Sequence, residues 1–187
     1  MILFVNACVR DESRTKDLAN YLLNKLDDEI VEFNLQKMDL KPLNSELLKR
    51  RDMLILNKNF DNDFFKYPNI FKKSDTIVIA SPYYDLSFSA LLKIFIENMN
   101  IGDLTFKYEN DGNITSLIKC KKLYYITTAG GNIINDSYGY GYIKEVFSMF
   151  YGVKDIEYIK AEGLDIYGNN PDEIMKIIKN KIDKDYN

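Results

Sequence analysis

The chain has 187 residues, of which 46% are hydrophobic, and its 25 Lys and Arg against 28 Asp and Glu give a net charge of −3. So weak a charge gives no reason to expect a nucleic-acid surface or an electrostatic membrane contact. Histidine is absent and cysteine occurs twice, which excludes histidine-based catalytic triads, histidine zinc sites and a disulfide scaffold. An enzyme of this composition needs a cofactor to supply its chemistry.

The sequence also predicts where the protein works and how many domains it has. No apolar run approaches the ~20 residues that span a bilayer, and the N-terminus lacks the basic and long apolar regions of a signal peptide. We therefore expect a cytoplasmic protein that binds neither membranes nor nucleic acid. No linker rich in Pro, Gly or Ser divides the chain, which predicts a single domain over residues 1–187.

Short apolar runs alternate with amphipathic segments along the chain. Strands are predicted at Ile2–Asn6, Glu29–Leu35, Asp75–Ala80, Lys122–Thr128 and Asp155–Glu162. Helices are predicted at Thr15–Leu26, Ser45–Asn57, Ala90–Met99, Ile143–Phe150 and Pro171–Ile182. This alternation predicts an α/β fold, namely a doubly wound five-stranded parallel sheet with helices on both faces.

In such a sheet, ligands bind beyond the carboxyl ends of the strands. The stretches to inspect are Asn6–Thr15, Ser81–Phe88, Thr127–Gly131 and the segment after Glu162. The first three of them have unusual chemistry for a plain connection.

The first stretch, NACVRDESRT, places hydroxyl groups and arginines before a predicted helix. A helix N-terminus has unpaired N–H donors and a partial positive charge, which suits a phosphate group. Alternatively, Ser13 or Thr15 merely caps the helix. The stretch matches neither a Walker A loop nor a glycine-rich dinucleotide fingerprint. A phosphate held by side-chain hydroxyls would therefore belong to a mononucleotide.

The second and third stretches are SPYYDLSF (81–88) and TTAGG (127–131). Two tyrosines on a strand-end loop form a surface on which flat aromatic ligands pack. Small residues such as Gly130 and Gly131 let the backbone approach a ligand closely. Tyrosines that only pack on the following helix, and a Gly-Gly that only makes a turn, are the alternatives.

Together these loops resemble the FMN-dependent NAD(P)H oxidoreductases of flavodoxin-like fold, in particular the NADH:quinone reductase and azoreductase group. The segments LTFKYENDG (104–112), DIEYIKAEGL (155–164) and DLKPL (39–43) are similar to segments of that group. The resemblance covers nearly the whole chain and depends on the order and spacing of all these motifs.

The resemblance implies FMN as the cofactor, NADH or NADPH as the electron donor, and a quinone or an azo compound as the acceptor. It implies that the flavin phosphate and ribityl chain are surrounded by Cys8, Ser13, Arg14 and Thr15. The isoalloxazine ring would have Tyr83, Tyr84, Asp85 and Leu86 along its edge, and Thr128, Ala129, Gly130 and Gly131 on its far side. A homodimer with a shared cleft is also implied, with Tyr108 as the candidate catalytic position on the cleft wall.

Two residues depart from the family pattern. Cys8 stands where serine is common in the phosphate loop, and a thiol is a weaker hydrogen-bond donor. Near a helix N-terminus Cys8 is either a reactive thiol with a lowered pKa or a buried, inert one. Asp85 stands where azoreductases commonly have asparagine, and its carboxylate would disfavour an anionic reduced flavin.

Two other functions remain possible at this point. A flavodoxin-type electron carrier would depend on strong charge steering, which a net charge of −3 supports poorly. The long connections at 36–74 and 100–120 also exceed the needs of a minimal carrier. A redox sensor would depend on Cys8 alone.

A further argument favours the dimer, because one face of a helix cannot readily hide all the aromatic residues around 138–151: Tyr138, Tyr140, Tyr142, Phe147, Phe150 and Tyr151.

Overall fold

The computed structural model of the chain describes residues 1–186. Its strands are β1 (Ile2–Asn6), β2 (Ile30–Asn34), β3 (Thr76–Ala80), β4 (Phe106–Tyr108), β5 (Ile114–Ser116), β6 (Lys122–Thr128) and β7 (Asp155–Ala161). Its α-helices are α1 (Arg14–Leu23), α2 (Ser45–Leu56), α3 (Lys66–Lys73), α4 (Ala90–Met99), α5 (Tyr140–Tyr151) and α6 (Pro171–Asp185).

Five strands form one sheet in the order β2-β1-β3-β6-β7, and every neighbouring pair is parallel. The strands are buried on both faces because helices cover both. Helices α1 and α6 pack on one face through residues such as Leu18, Leu22 and Ile182. Helices α3, α4 and α5 cover the other face, where Phe71 and Phe95 meet edge to face. This is the doubly wound sheet that the sequence predicts.

Each predicted strand and helix is present, with ends that differ by a few residues. Helix α1 stops at Leu23, three residues before its predicted end, and α6 continues to Asp185. The description of 36–74 and 100–120 as long connections was incomplete. The first also holds helix α3, and the second holds an antiparallel hairpin of β4 and β5.

The aromatic residues around α5 do not support the argument for a dimer that their number suggested. Phe147 and Tyr151 are buried in the protein's own core, while Tyr140 and Tyr142 are half-buried. The cluster leaves Tyr138 as its exposed member, at 59%. The reason is that α5 packs its aromatic residues against α3, against Phe88 in the loop before α4, and against β7.

The chain crosses from one side of β1 to the other after β2, so that β1 and β3 are neighbours at the switch point of the sheet. Loops that leave the carboxyl ends of adjacent strands diverge there and leave a crevice.

Across residues 1–186, none of the helices has the length and apolar character needed to cross a membrane.

Candidate active site

A groove of about 850 Å³ opens at the carboxyl ends of β1, β3, β6 and β7. This volume lies within the range of about 300–1,000 Å³ that is typical of small-molecule sites. Its walls come from the loops after those four strands and from helices α1 and α6. The residues that line it are Arg10, Glu12, Ser13, Arg14, Thr15, Asp17, Pro82, Tyr83, Tyr84, Thr128, Ala129, Gly130, Leu164, Asp165, Asp172, Met175, Lys176 and Lys179.

The loop between β1 and α1 is held from within by Asn6. Its side-chain oxygen accepts from the N–H of Cys8 at 3.1 Å, and its amide donates to Glu32 at 2.8 Å. Ser13 is the N-cap of α1 and accepts from the N–H of Lys16 at 3.3 Å. The capping interpretation of Ser13 is therefore correct in this structure. The N–H groups of Arg14 and Thr15, in the same turn, have no acceptor within the helix, and both residues line the groove.

Thr15 and Thr128 join two of the loops. Their hydroxyl oxygens lie 2.6 Å apart, and both residues are buried. The predicted phosphate loop and the predicted Gly-Gly loop therefore meet through a direct hydrogen bond, which neither segment indicates by itself.

Arg14 and Asp165 join the first loop to the loop after β7. The Nη1 atom of Arg14 donates to Oδ1 of Asp165 at 2.8 Å. The N–H of Asp165 donates to the carbonyl of Gly130 at 2.9 Å. Asp165 thus contacts both of the other loops, and it was not predicted as a site residue. The signal for Asp165 is its place in the segment after Glu162, just beyond the carboxyl end of β7.

The loop after β3 makes a tight turn at Asp85 and Leu86. Tyr84 and Ser87 exchange two backbone hydrogen bonds of 2.8 Å, and both central residues have positive φ, at 49° and 69°. Such a turn favours Asn-Gly, and a leucine with positive φ is strained. The Ser87 hydroxyl donates to the carbonyl of Tyr138 at 2.6 Å, which ties the turn to the next loop.

Tyr83 lines the groove, yet its hydroxyl is buried without a hydrogen-bond partner among the described residues. The hydroxyls of Tyr125 and Thr127 are also buried without a hydrogen-bond partner. The ring of Tyr83 and the hydroxyl of Tyr125 lie close together, since a Cβ added at Gly139 would be about 4 Å from both. Buried hydroxyls normally have a partner, so these three are exceptions among the described residues.

Gly130 and Gly131 differ in what surrounds them. A Cβ at Gly130 would lie 2.5 Å from Oδ2 of Asp165, so any larger residue there would displace the Asp165 side chain from its present position. A Cβ at Gly131 would meet nothing within 4 Å. Gly130 therefore has a packing role that the sequence did not reveal.

The structure brings together eight of the predicted site residues along the groove, and those eight are Ser13, Arg14, Thr15, Tyr83, Tyr84, Thr128, Ala129 and Gly130. Four others flank it without lining it, and they are Cys8, Asp85, Leu86 and Gly131. Tyr108 lies on β4, 64% exposed, with its ring edge-on to Phe106. It does not line the groove, so its predicted place on a cleft wall stays a prediction that depends on a second subunit.

Cys8 is buried beneath the loop, with its sulfur 3.7 Å from the carbonyl of Ala80. Burial raises the pKa of this thiol, and a hydrogen bond with Ser13 lowers it by less. The balance favours the buried, inert thiol over the reactive one. This removes the main support for a redox sensor.

Comparisons with known proteins agree with this geometry. A family model described as a flavodoxin-like fold matches residues 1–185. A protein of Clostridium perfringens (strain ATCC 13124) named FMN-dependent NADH:quinone oxidoreductase is 32% identical over 181 residues, which cover 92% of this chain and 90% of that protein. A protein of the same name from Coprothermobacter proteolyticus is 30% identical, with 90% and 89% covered.

Solved structures share the fold over the whole chain. An azoreductase from Bacillus anthracis (strain Sterne) superimposes with a TM-score of 0.84 at 24% identity, covering 100% of this chain and 98% of that one. A structure of an FMN-dependent NADH-azoreductase from B. anthracis (strain Ames Ancestor) in complex with FMN has a TM-score of 0.81 at 20% identity, with 99% and 97% covered.

Proposed function

The chain belongs to the flavodoxin-like fold family whose model spans residues 1–185, and from this premise we propose that it is an FMN-dependent NAD(P)H oxidoreductase that reduces quinones and azo compounds. The observation that carries the proposal is the groove in which the three predicted loops meet. The alternative of an electron carrier is not favoured, because the curated relatives at about 30% identity are named as NADH:quinone oxidoreductases.

The residues at one end of the groove fit a phosphate group. The first turn of α1 presents N–H groups without acceptors, and Arg14 adds a positive charge beside them. Ser13 and Thr15 supply hydroxyls at the same place, although each already has one partner in the protein. A hydroxyl can donate one bond while accepting others, so both can also contact a phosphate. We propose that these three residues bind the phosphate of FMN.

The residues at the other end fit a flat aromatic ring system. Tyr83 and Tyr84 form one wall, and the small side chains of Thr128 and Ala129 with Gly130 form another. These five residues are half-buried or buried and uncharged, which suits a ring that must be shielded from water. The carboxylate of Asp165 lies next to Gly130 at the margin of this wall. Asp85 and Leu86 would contact the ring edge from the adjacent turn.

When bound, FMN supplies the two-electron transfer chemistry that the side chains of this chain do not offer. The protein's part is to bind, orient and exclude water. Thr128 joins the walls of the groove. Its hydroxyl is hydrogen-bonded to that of Thr15, and its carbonyl accepts from the N–H of Tyr83 at 3.0 Å. A rigid groove of this kind holds reacting groups at contact distance, which is a large part of the catalytic effect.

We also propose that the chain folds as a single domain, that two copies form a homodimer, and that the protein works in the cytoplasm. Helix α2 supports the dimer, because none of its residues is buried and it exposes Met53 and Leu56, the latter to 83%. Apolar side chains grouped on an uncovered helix are typical of an interface. The strands of the five-stranded sheet come from residues 2 to 161, which supports a single domain. The two cysteines are free thiols, which suits a reducing compartment such as the cytoplasm.

The test of the proposed function uses the purified protein. We expect denaturation to release FMN and not FAD, and we expect NADH or NADPH to be oxidised when a small quinone is added. Release of FAD, or failure to bind added FMN, would contradict the cofactor assignment. FMN binding without oxidation of either nicotinamide would point to the electron carrier instead.

A further inference from the structure

The carboxylate of Asp165 is a part of the groove that no motif or family resemblance assigns. We propose that Asp165 is a positioning residue for cofactor recognition, which orients the guanidinium of Arg14 so that its free N–H groups face the phosphate. This inference rests on the proposed function, because it needs FMN as the ligand. It goes beyond that function by naming the residue that decides how strongly the phosphate is recognised.

The first observation is how the two side chains meet. One nitrogen of Arg14, Nη1, donates to one oxygen of Asp165, Oδ1, at 2.8 Å. Among residues 1–186, the Arg14 guanidinium makes this one hydrogen bond, although it has five N–H donors in all. The single contact leaves most of the donors available.

The second observation is that Asp165 itself has a fixed position. Its N–H donates to the carbonyl of Gly130 at 2.9 Å, and the preceding residue, Leu164, donates to Ala129 at 3.2 Å. The side chain lies directly over Gly130, since a Cβ there would be 2.5 Å from Oδ2. Oδ2 is therefore turned towards the Gly-Gly loop while Oδ1 holds Arg14.

The third observation is the charge around the groove. The lining contains four cations and four carboxylates, namely Arg10, Arg14, Lys176 and Lys179 against Glu12, Asp17, Asp165 and Asp172. Lys179 is paired with Asp17 at 2.7 Å, and this ion pair does not include Asp165 or Arg14. Arg14 is the first residue of α1 and so lies in the helical turn where the phosphate is proposed to bind. A long arginine side chain that is 46% exposed has many rotamers, and its contact with Asp165 selects one of them.

The test compares FMN with riboflavin, which has the same ring and ribityl chain but no phosphate. We expect Asp165→Ala to weaken FMN binding by about tenfold, as expected for the loss of one oriented charge-assisted contact, and to leave riboflavin binding unchanged. Asp165→Asn keeps an acceptor oxygen at the same place and should retain FMN affinity within about threefold of the wild type. Affinities are measured by quenching of flavin fluorescence.

Asp155→Ala is the matched control, because Asp155 is similarly exposed and has its own ion pair with Lys122 but does not line the groove. We expect it to change neither affinity by more than about twofold, since that pair does not involve Arg14. In an Arg14→Ala background, Asp165→Ala should have no further effect on FMN affinity, because the two residues act as one unit.

The outcomes separate the inference from the proposed function. An Asp165→Ala variant that binds FMN as tightly as the wild type, or more tightly, overturns the inference, and tighter binding would show that the carboxylate competes with the phosphate. An equal loss for FMN and riboflavin also overturns it, because that pattern indicates a distorted groove. If the wild type binds no FMN, the proposed function fails and the inference fails with it.

Discussion

The hydroxyl oxygens of Thr15 and Thr128 lie 2.6 Å apart, one in the first turn of α1 and the other at the last residue of β6. The two residues are 113 positions apart in sequence and both are buried. The bond therefore fixes the loop after β1 against the loop after β6. A groove whose two walls are joined in this way keeps its shape before a ligand enters.

Thr15→Val removes this bond and keeps the volume of the side chain. We expect it to lower the free energy of unfolding by about 1–3 kcal/mol, because the Thr128 hydroxyl is left buried without a partner. The double variant Thr15→Val and Thr128→Val removes both polar groups and should regain part of that loss. Urea unfolding of the wild type, Thr15→Val, Thr128→Val and the double variant measures the coupling. Additive losses would show that the hydroxyls do not stabilise each other.

Leu86→Gly tests the strain in the turn after β3. Leucine at φ 69° is unfavourable by roughly 1–2 kcal/mol, and glycine adopts this conformation freely although it orders at a greater entropic cost. We expect a net gain of about 0.5–1 kcal/mol in unfolding free energy. Leu86→Ala is the control, since it keeps the Cβ that causes the strain. Equal stabilities for the glycine and alanine variants would contradict this account.

Leu56→Glu tests the proposed dimer. A charge placed in an apolar interface is costly to desolvate, so we expect the variant to sediment as a monomer at micromolar concentration while the wild type sediments as a dimer. Ile177→Glu is the matched control, because Ile177 is also an exposed apolar residue on a helix, at 55% on α6. A wild type that is monomeric would reject the dimer. A dimer that tolerates Leu56→Glu would place the interface elsewhere.

Steady-state kinetics with NADH or NADPH and a small quinone test the shared groove. The loops at Tyr83 and at Gly130 close its walls, so donor and acceptor must use the same open side in turn. We therefore expect parallel double-reciprocal lines, which indicate a ping-pong mechanism. Intersecting lines would mean that both substrates bind together. Azo dyes are expected to follow the same pattern.

The buried thiols give the stability of the apoprotein a pH dependence. Burial raises the pKa of Cys120 to about 12, and it raises the pKa of Cys8 as well. In the unfolded chain a thiol loses its proton near pH 8.5, so the unfolded state gains stability as the pH rises above that value. We expect the unfolding free energy to fall between pH 8 and pH 10, by at most about 1.4 kcal/mol per pH unit for each thiol.

Cys120→Val should make that pH dependence shallower, because it removes one of the two titrating groups. Urea unfolding at pH 8, 9 and 10 measures the effect. Tyrosines, with an unperturbed pKa near 10, titrate in the upper part of this interval, so the difference between the two slopes, and not either slope alone, identifies Cys120. An unchanged slope in the valine variant would show that Cys120 is not the source.

The sequence by itself determined the architecture, because periodicity and composition are local properties. The five apolar runs became the five strands of the parallel sheet, and β-branched stretches such as 76–80 are buried on both faces as their composition requires. It also located three of the loops that form the groove, since the ends of parallel strands necessarily meet at one edge. Helix α3 escaped prediction because it is short and has Pro68 in its first turn, where the missing N–H costs nothing.

Tertiary structure decided the contacts that join distant parts of the chain. Arg14 and Asp165 are 151 positions apart, and Thr15 reaches Thr128 because α1 packs across β6. No local pattern encodes such pairs, since they depend on how helices seat on the sheet. The left-handed conformation of Leu86 has the same origin, because bonds from the flanking residues Tyr83 and Ser87 to distant loops close the turn against the preference of leucine. Spacing along the chain indicates which residues share an edge, and packing decides which of them touch.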